Sequence, residues 1–274
     1  MSRQSSGTET APHASTVVVP DVAGRAHPRT SGRRGLPHIR RKALYMSATQ
    51  APLNEGARLF EELLAVHGIM TRGTEAVADS FAGLDAGAPV DVKTLVSTVR
   101  WLVAFVHHHH ESEDELLWPV LRESFPDAVA SLDRLSAEHA ALDQDLDALT
   151  AAVDQLAGTA QSGAGQDLGL AVKRGAQAAQ SVRDILAGHL AAEEPVLEKL
   201  FPQVPDADVV RLRKAVTDGA PRSGPHLVFG FLEHPEPVTG RDHMYANFPP
   251  PLRWFRGLLL SRFRKTLKAL AVGV

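Results

Sequence analysis

The sequence contains no cysteine. That excludes disulfides, thiolate nucleophiles, iron–sulfur clusters and the cysteine class of zinc sites. Nor does it contain an apolar run of the roughly 18–20 residues a spanning helix needs, which predicts a soluble, cytoplasmic protein. Charge is not in excess either: 29 Lys+Arg against 32 Asp+Glu leave a net charge of −3. Overall charge therefore makes no case for nucleic acid or an anionic membrane, and any basic patch has to be argued locally. No glycine-rich loop ends in Gly-Lys-Ser/Thr, so a phosphate cradle of that type is missing. No Ser/His/Asp arrangement can be argued. What remains is a chain of 274 residues, 44% hydrophobic and 22% charged, a globular composition. It carries 13 histidines, and their placement is patterned.

Three regions differ in texture. Residues 1–50 read as a disordered basic tail, rich in Ser, Thr, Pro and Gly and without helical or strand period. Over residues 1–45 eight Lys/Arg face two acids, a net of +6. Val17-Val18-Val19 is too short for a signal-peptide core and precedes the arginines. A solvated tail, or a natural start at Met46, is the reading taken over a nucleic-acid contact, so no nucleic-acid partner is predicted.

Residues 51–203 are Ala/Leu/Glu/Asp-rich at helical spacing. Apolar positions fall at steps of three and four in four stripes. They run through Phe60, Leu63, His67, Met70, Thr74 and Val77, and through Leu102, Phe105, His109, Glu113, Leu116 and Val120. The third runs Leu132, Leu135, His139, Leu142, Leu146 and Leu149. The fourth runs Val182, Ile185, His189, Glu193, Val196 and Leu200. Breaks are expected at Gly83–Pro89, Pro119–Pro126 and Gly158–Gly169, the last as a longer crossover. The fold class predicted is all-α, an antiparallel four-helix bundle.

Residues 204–274 form a C-terminal extension containing helices. Asp206–Asp218 should be one, followed by an irregular Pro/aromatic-rich stretch. A basic amphipathic helix over Leu252–Val272 closes the chain. Packing of that helix on the bundle, or on a second copy in a homodimer, is favoured over contact with a membrane surface.

Each bundle stripe has a histidine in its middle: His67, His109, His139 and His189. A single histidine on such a face is ordinarily a hydrogen-bonded core residue. Four on four converging faces call for a common partner, since an unpaired buried imidazole costs on the order of 1–3 kcal/mol. Two of them bring a carboxylate one turn later, Glu113 after His109 and Glu193 after His189. Buried carboxylates need a cation, and no Lys or Arg lies on the facing stripes. The compensating charge is then most economically metal, held by His67, His109, Glu113, His139, His189 and Glu193. Such mixed N/O donors suit iron, manganese or zinc and argue against calcium. Six protein ligands exceed one zinc site but serve two metals bridged by two carboxylates with terminal imidazoles. A ferritin-like centre would need Glu-x-x-His, which the bundle lacks.

These residues resemble a known family. The His-x-x-x-Glu pairs at His109/Glu113 and His189/Glu193 run on into Glu-Asp-Glu-Leu-Leu-Trp-Pro and Glu-Glu-Pro-Val-Leu-Glu-Lys-Leu-Phe-Pro. With lone histidines at His67 and His139, the pattern is similar to the hemerythrin-like HHE cation-binding domain over residues 54–202. The resemblance implies two non-haem Fe ions, oxo- or hydroxo-bridged, in members that carry or sense O2, respond to NO or peroxide, or sense iron. Departures exist. Where oxygen-carrying members have His-x-x-x-His on the third helix, the second place here is Asp143. Their fourth helix has His-x-x-x-x-Asp, against Glu193 and Glu194 here. His110, Asp143 and Glu194 are kept as further candidate ligands, with His107 and His108 read as lying on the outer face or as supporting the ligands.

Three functions follow as expectations: a binding or sensing module for O2, NO or H2O2, an enzyme turning over hydrogen peroxide or NO, or an iron store. A structural bundle whose histidines are merely hydrogen-bonded is the rival outside the family.

Overall fold

The computed structural model describes residues 54–162, 165–220 and 222–273. The tail expected over 1–50, with Met46, lies outside them. Among the described residues all regular structure is helical. The helices are α1 (Glu55–Asp85), α2 (Val92–Ser112), α3 (Trp118–Ser124), α4 (Val129–Ser162) and α5 (Gly165–Leu200). The extension adds α6 (Asp206–Gly219), α7 (Pro225–Glu233), α8 (Arg241–Asn247), α9 (Pro250–Trp254) and α10 (Arg256–Ala269). None of them is long and apolar enough to cross a membrane.

Local chemistry sets the starts. The Asn54 side chain accepts the Ala57 N–H at 2.7 Å, and Asp91 accepts that of Thr94 at 2.7 Å, capping α1 and α2. Of the expected crossover at Gly158–Gly169, the described residues 158–162 and 165–169 are instead all helical. A glycine costs a helix only about 1 kcal/mol. The apolar residues on either side, Val153 and Leu156 on α4 and Ala171 and Val172 on α5, are buried and outweigh it.

α1, α2, α4 and α5 pack in a ring, each against two neighbours. Their core is two apolar clusters with a polar layer between. On α1, His67 lies between Leu63 of one cluster and Met70 of the other. On α2 and the turn that follows it, His109, His110 and Glu113 lie between Val106 and Leu117. On α4, His139 lies between Leu135 and Leu142. On α5, His189 and Glu193 lie between Leu186 and Leu197. The order in which the chain meets the clusters reverses at each helix, which makes the bundle antiparallel, up-down-up-down.

Register differs from the sequence reading on α5. Ile185 is 37% exposed, and Leu186 is buried in its place. The buried set Val182, Leu186, His189, Glu193, Leu197 and Leu200 keeps steps of three and four, displaced from Ile185 and Val196.

Between α2 and α3 the helix widens into a π-turn over Glu113–Leu117, where the Trp118 N–H bonds the Glu113 carbonyl five residues back. Pro119 accounts for it. A proline ring clashes with the carbonyl four residues earlier, and a wider turn moves that carbonyl aside. The helix is thereby loosened at the point where Glu113 and Asp114 project.

The stretch expected to be irregular, 221–251, instead holds the short helices α7 and α8 and part of α9. α7 and α8 dock on α1. The Arg72 guanidinium donates to the carbonyls of Phe231, His234 and Glu236 at 2.9, 3.0 and 2.7 Å. Gly240, at φ +73°, lies so close to the Glu61 carbonyl that a Cβ there would sit 1.6 Å from its oxygen. Only glycine suits both the positive φ and the approach.

Candidate metal centre

The polar layer resolves into two groups of donors. His67, His109, Glu113 and Glu193 form one, and His110, His139 and His189 the other. Within each, one atom per residue lies within 4.8 Å of every other, and all seven residues are buried. The six residues expected from spacing come together here, and His110 joins them. Asp143 and Glu194 belong to neither group.

The carboxylates face both groups. Glu113 Oε1 lies 3.4 Å from His109 Nε2, and its Oε2 lies 3.4 Å from His139 Nε2. Glu193 Oε2 lies 3.5 Å from both His67 Nε2 and His189 Nε2.

Adjacent residues on a helix project about 100° apart, and α2 packs between α1 and α4. His109 accordingly faces the α1 side, its ring centroid 5.1 Å from that of His67. His110 faces the other, stacked on His139 at 4.2 Å with planes 10° apart and 5.7 Å from His189. A single apolar stripe admits one of the two, whereas a layer seen by both flanks of α2 admits both.

Outer carboxylates orient the rings. Nδ1 of His67 lies 3.0 Å from Glu194, Nδ1 of His139 lies 3.0 Å from Asp114, and Nδ1 of His189 lies 3.0 Å from Glu138. Asp143 sits 3.5 Å from His110 Nδ1 and 3.1 Å from His107 Nδ1. A carboxylate can only accept, so the proton of each neutral imidazole belongs on Nδ1, and each Nε2 turns inward as a bare lone pair. Trp118, fully buried, stacks 6.1 Å from His139 at 14°. His108 Nε2 is buried without a hydrogen-bond partner and lies outside both groups.

This arrangement does not satisfy itself. Nε2 of His67, His109 and His110 and all four carboxylate oxygens of Glu113 and Glu193 are buried without a hydrogen-bond partner. Nε2 of His139 and His189 approach to 3.1 Å, although neither has a proton to offer the other. Two lone pairs at that distance repel unless a cation lies between them. The separation is also what two nitrogens show when each binds one ion at about 2.1 Å and right angles.

The protonation tendencies agree. Burial drives the Glu113 carboxyl well above its ordinary range, and the Glu193 carboxylate adds to it. Burial pushes the His109 imidazole well below its ordinary range, helped by the neighbouring imidazoles. Burial, then His110, lowers His139 to about 4, and burial likewise lowers His110. Asp143 is held low mainly by its hydrogen bond with His110. A proton favoured on Glu113 and bare imidazoles favoured at His109, His110 and His139 lower the charge of the layer when it holds no cation, and a cation would take that proton's place. The donor set of five imidazoles and two carboxylates fits a borderline metal and not calcium.

Spacing alone did not bring His110 fully into the set. The signal for His110 was its adjacency to His109 on a helix with neighbours on both flanks.

No curated protein and no solved structure gives a significant match. The family model described as hemerythrin HHE cation binding domain matches residues 58–204. That span begins just inside α1, ends just past α5, and encloses every residue of both donor groups. With more than half of the chain matched and the site built from the helices it covers, the chain belongs to the hemerythrin HHE cation-binding family.

Proposed function

We propose that this is a non-haem di-iron protein that binds or senses O2, NO or hydrogen peroxide. The observation that carries the reading is the pair of donor groups joined by Glu113 and Glu193, each facing imidazoles of both. Two irons held there supply reversible binding of small ligands and one- or two-electron chemistry toward them. The chain supplies the rest. His67 and His109 with Glu113 and Glu193 would hold one ion, and His110, His139 and His189, which the same carboxylates face, would hold the other. Counting donors, the first ion has four and the second five. The α1 side, with the fewer protein donors, is where a small ligand would find room. His110 provides the imidazole that Asp143 does not, so the second group keeps three nitrogens. Glu194, Asp114, Glu138 and Asp143 hold the rings and raise their basicity. The two apolar clusters on either side of the layer keep bulk water from the ions.

The test is optical. Anaerobic ferrous protein is exposed to O2, then NO, then peroxide, with the gas removed each time. A spectrum that changes and returns supports binding or sensing. Sustained consumption of ligand would make it an enzyme, and a spectrum indifferent to all three would leave an iron store.

A further inference from the structure

The sequence assigns one continuous apolar side to the last helix, and the structure divides it. Phe263 and Leu267 of α10, and Leu270 just after it, are buried. Trp254, Phe255 and Leu258, at the junction of α9 and α10, are 80%, 58% and 67% exposed. They are three of the most exposed large apolar side chains among the described residues. Such a cluster on a protein surface marks a contact.

Its surroundings state the chemistry of that contact. From His243 to the end of the chain there is no Asp or Glu. Arg253, Arg262, Arg264, Lys265 and Lys268 are all exposed, and none has an ion-pair partner among the described residues. Arg256 alone is tied down, 2.9 Å from Glu233. On α10 the outward face opposite Phe263 and Leu267 carries Leu258, Arg262 and Lys265 at helical steps of four and three. An apolar wedge with tryptophan, set in unpaired cations and with no acid, matches a lipid headgroup layer of negative charge.

The other occupants fit less well. The residues 1–45 of this chain carry net +6 and would meet like charge. A second copy would present the same cations to themselves. Nucleic acid would satisfy the arginines but leave Leu258 without a partner.

We propose that the α9–α10 junction is a membrane-surface contact for anionic lipid. Trp254, Phe255 and Leu258 enter the interface, and Arg253, Arg262 and Lys265 bind headgroup phosphates and carboxylates. The contact places the bundle beside the bilayer without spanning it.

The full chain, loaded with iron, is mixed with vesicles of phosphatidylcholine alone or with one third phosphatidylserine, and sedimented. Trp101 and Trp118 are buried, so emission changes report on Trp254. Binding to the phosphatidylserine vesicles alone is expected, with a blue shift of emission and release on raising salt. The variant Trp254→Ser/Phe255→Ser/Leu258→Ser should keep its helicity and iron, because these side chains are exposed. It should lose at least about tenfold in partitioning, the worth of one large apolar side chain. A variant Arg262→Glu/Lys265→Glu should lose binding without altering the wedge. Failure to sediment with phosphatidylserine vesicles would overturn the proposal. So would equal binding to neutral vesicles, or undiminished binding by the triple variant. A wild-type dimer that the triple variant turns into monomer, with no vesicle binding, would assign the patch to self-association instead.

Discussion

If the polar layer is a metal centre, Glu113 and Glu193 should destabilise the metal-free chain and stabilise the loaded one. The double substitution Glu113→Gln/Glu193→Gln keeps side-chain shape, so it opens no cavity. In the metal-free wild type both carboxyls are buried, 1% and 0% exposed, with four oxygens unpartnered. Folding also works against the ionised form of Glu113, whose carboxyl is raised well above its ordinary range by burial and by Glu193. A glutamine amide takes up no proton, and its N–H can donate to the bare Nε2 atoms now 3.4–3.5 Å from the carboxylate oxygens. At about 1–2 kcal/mol for each residue, the metal-free double variant should exceed metal-free wild type by about 2–4 kcal/mol. Loading reverses the order. Two irons, each at a hundred times its dissociation constant, stabilise wild type by about 5.4 kcal/mol, or about 11–22 °C in Tm for a domain of this size. The variant should gain almost nothing. The assay is anaerobic thermal unfolding followed by circular dichroism, with chelator and with ferrous iron. A core of merely hydrogen-bonded histidines predicts the opposite, a variant less stable under both conditions. That result, or a variant that keeps the full iron-dependent shift, would refute the reasoning.

Three further outcomes are expected. His110→Ala should reduce bound iron toward one per chain, because the second group falls to two imidazoles, whereas His107→Ala should keep both ions; metal analysis of the two variants separates them. Gly240→Ala should cost at least about 3 kcal/mol in urea unfolding, since a Cβ would meet the Glu61 carbonyl at 1.6 Å in a positive-φ position. His226, on α7, is lowered from 6.5 to about 4 by burial and then by Arg262. Between those values the unfolded chain binds more protons, so stability falls as pH drops from about 6.5 to about 4. The full shift is worth about 2 kcal/mol at pH 5, and with the ring only partly buried about 1 kcal/mol. Urea unfolding at pH 7.5 and pH 5 should show His226→Gln losing about that much less than wild type, and an identical pH dependence would contradict the assignment.

The bundle was legible because burial writes a period into sequence: one histidine interrupts each of four apolar stripes, and four interruptions in step define a layer. The His-x-x-x-Glu spacing placed the carboxylates for the same reason. His110 was harder to place, because a stripe describes one helix against one neighbour and α2 has a neighbour on each flank. Ile185 was misplaced because two registers one residue apart both keep steps of three and four, and only packing against α1 and α4 chooses Leu186. The helical passage through Gly158 and Gly169 was hidden because glycine's cost is local, while the burial that offsets it lies on other helices. The extension was least legible. Its three short helices are held by tertiary contacts, such as Arg72 on three carbonyls, that leave no period. Nothing in the amphipathic pattern of α10 says that Trp254, Phe255 and Leu258 stay outside.

The most direct test of the di-iron reading is the metal content of the chain purified without a polyhistidine tag, with an optical spectrum in air and after reduction. Two irons per chain are predicted, with a near-ultraviolet band of an oxo-bridged pair that reduction abolishes. One ion per chain, zinc in place of iron, or no metal at all would contradict it.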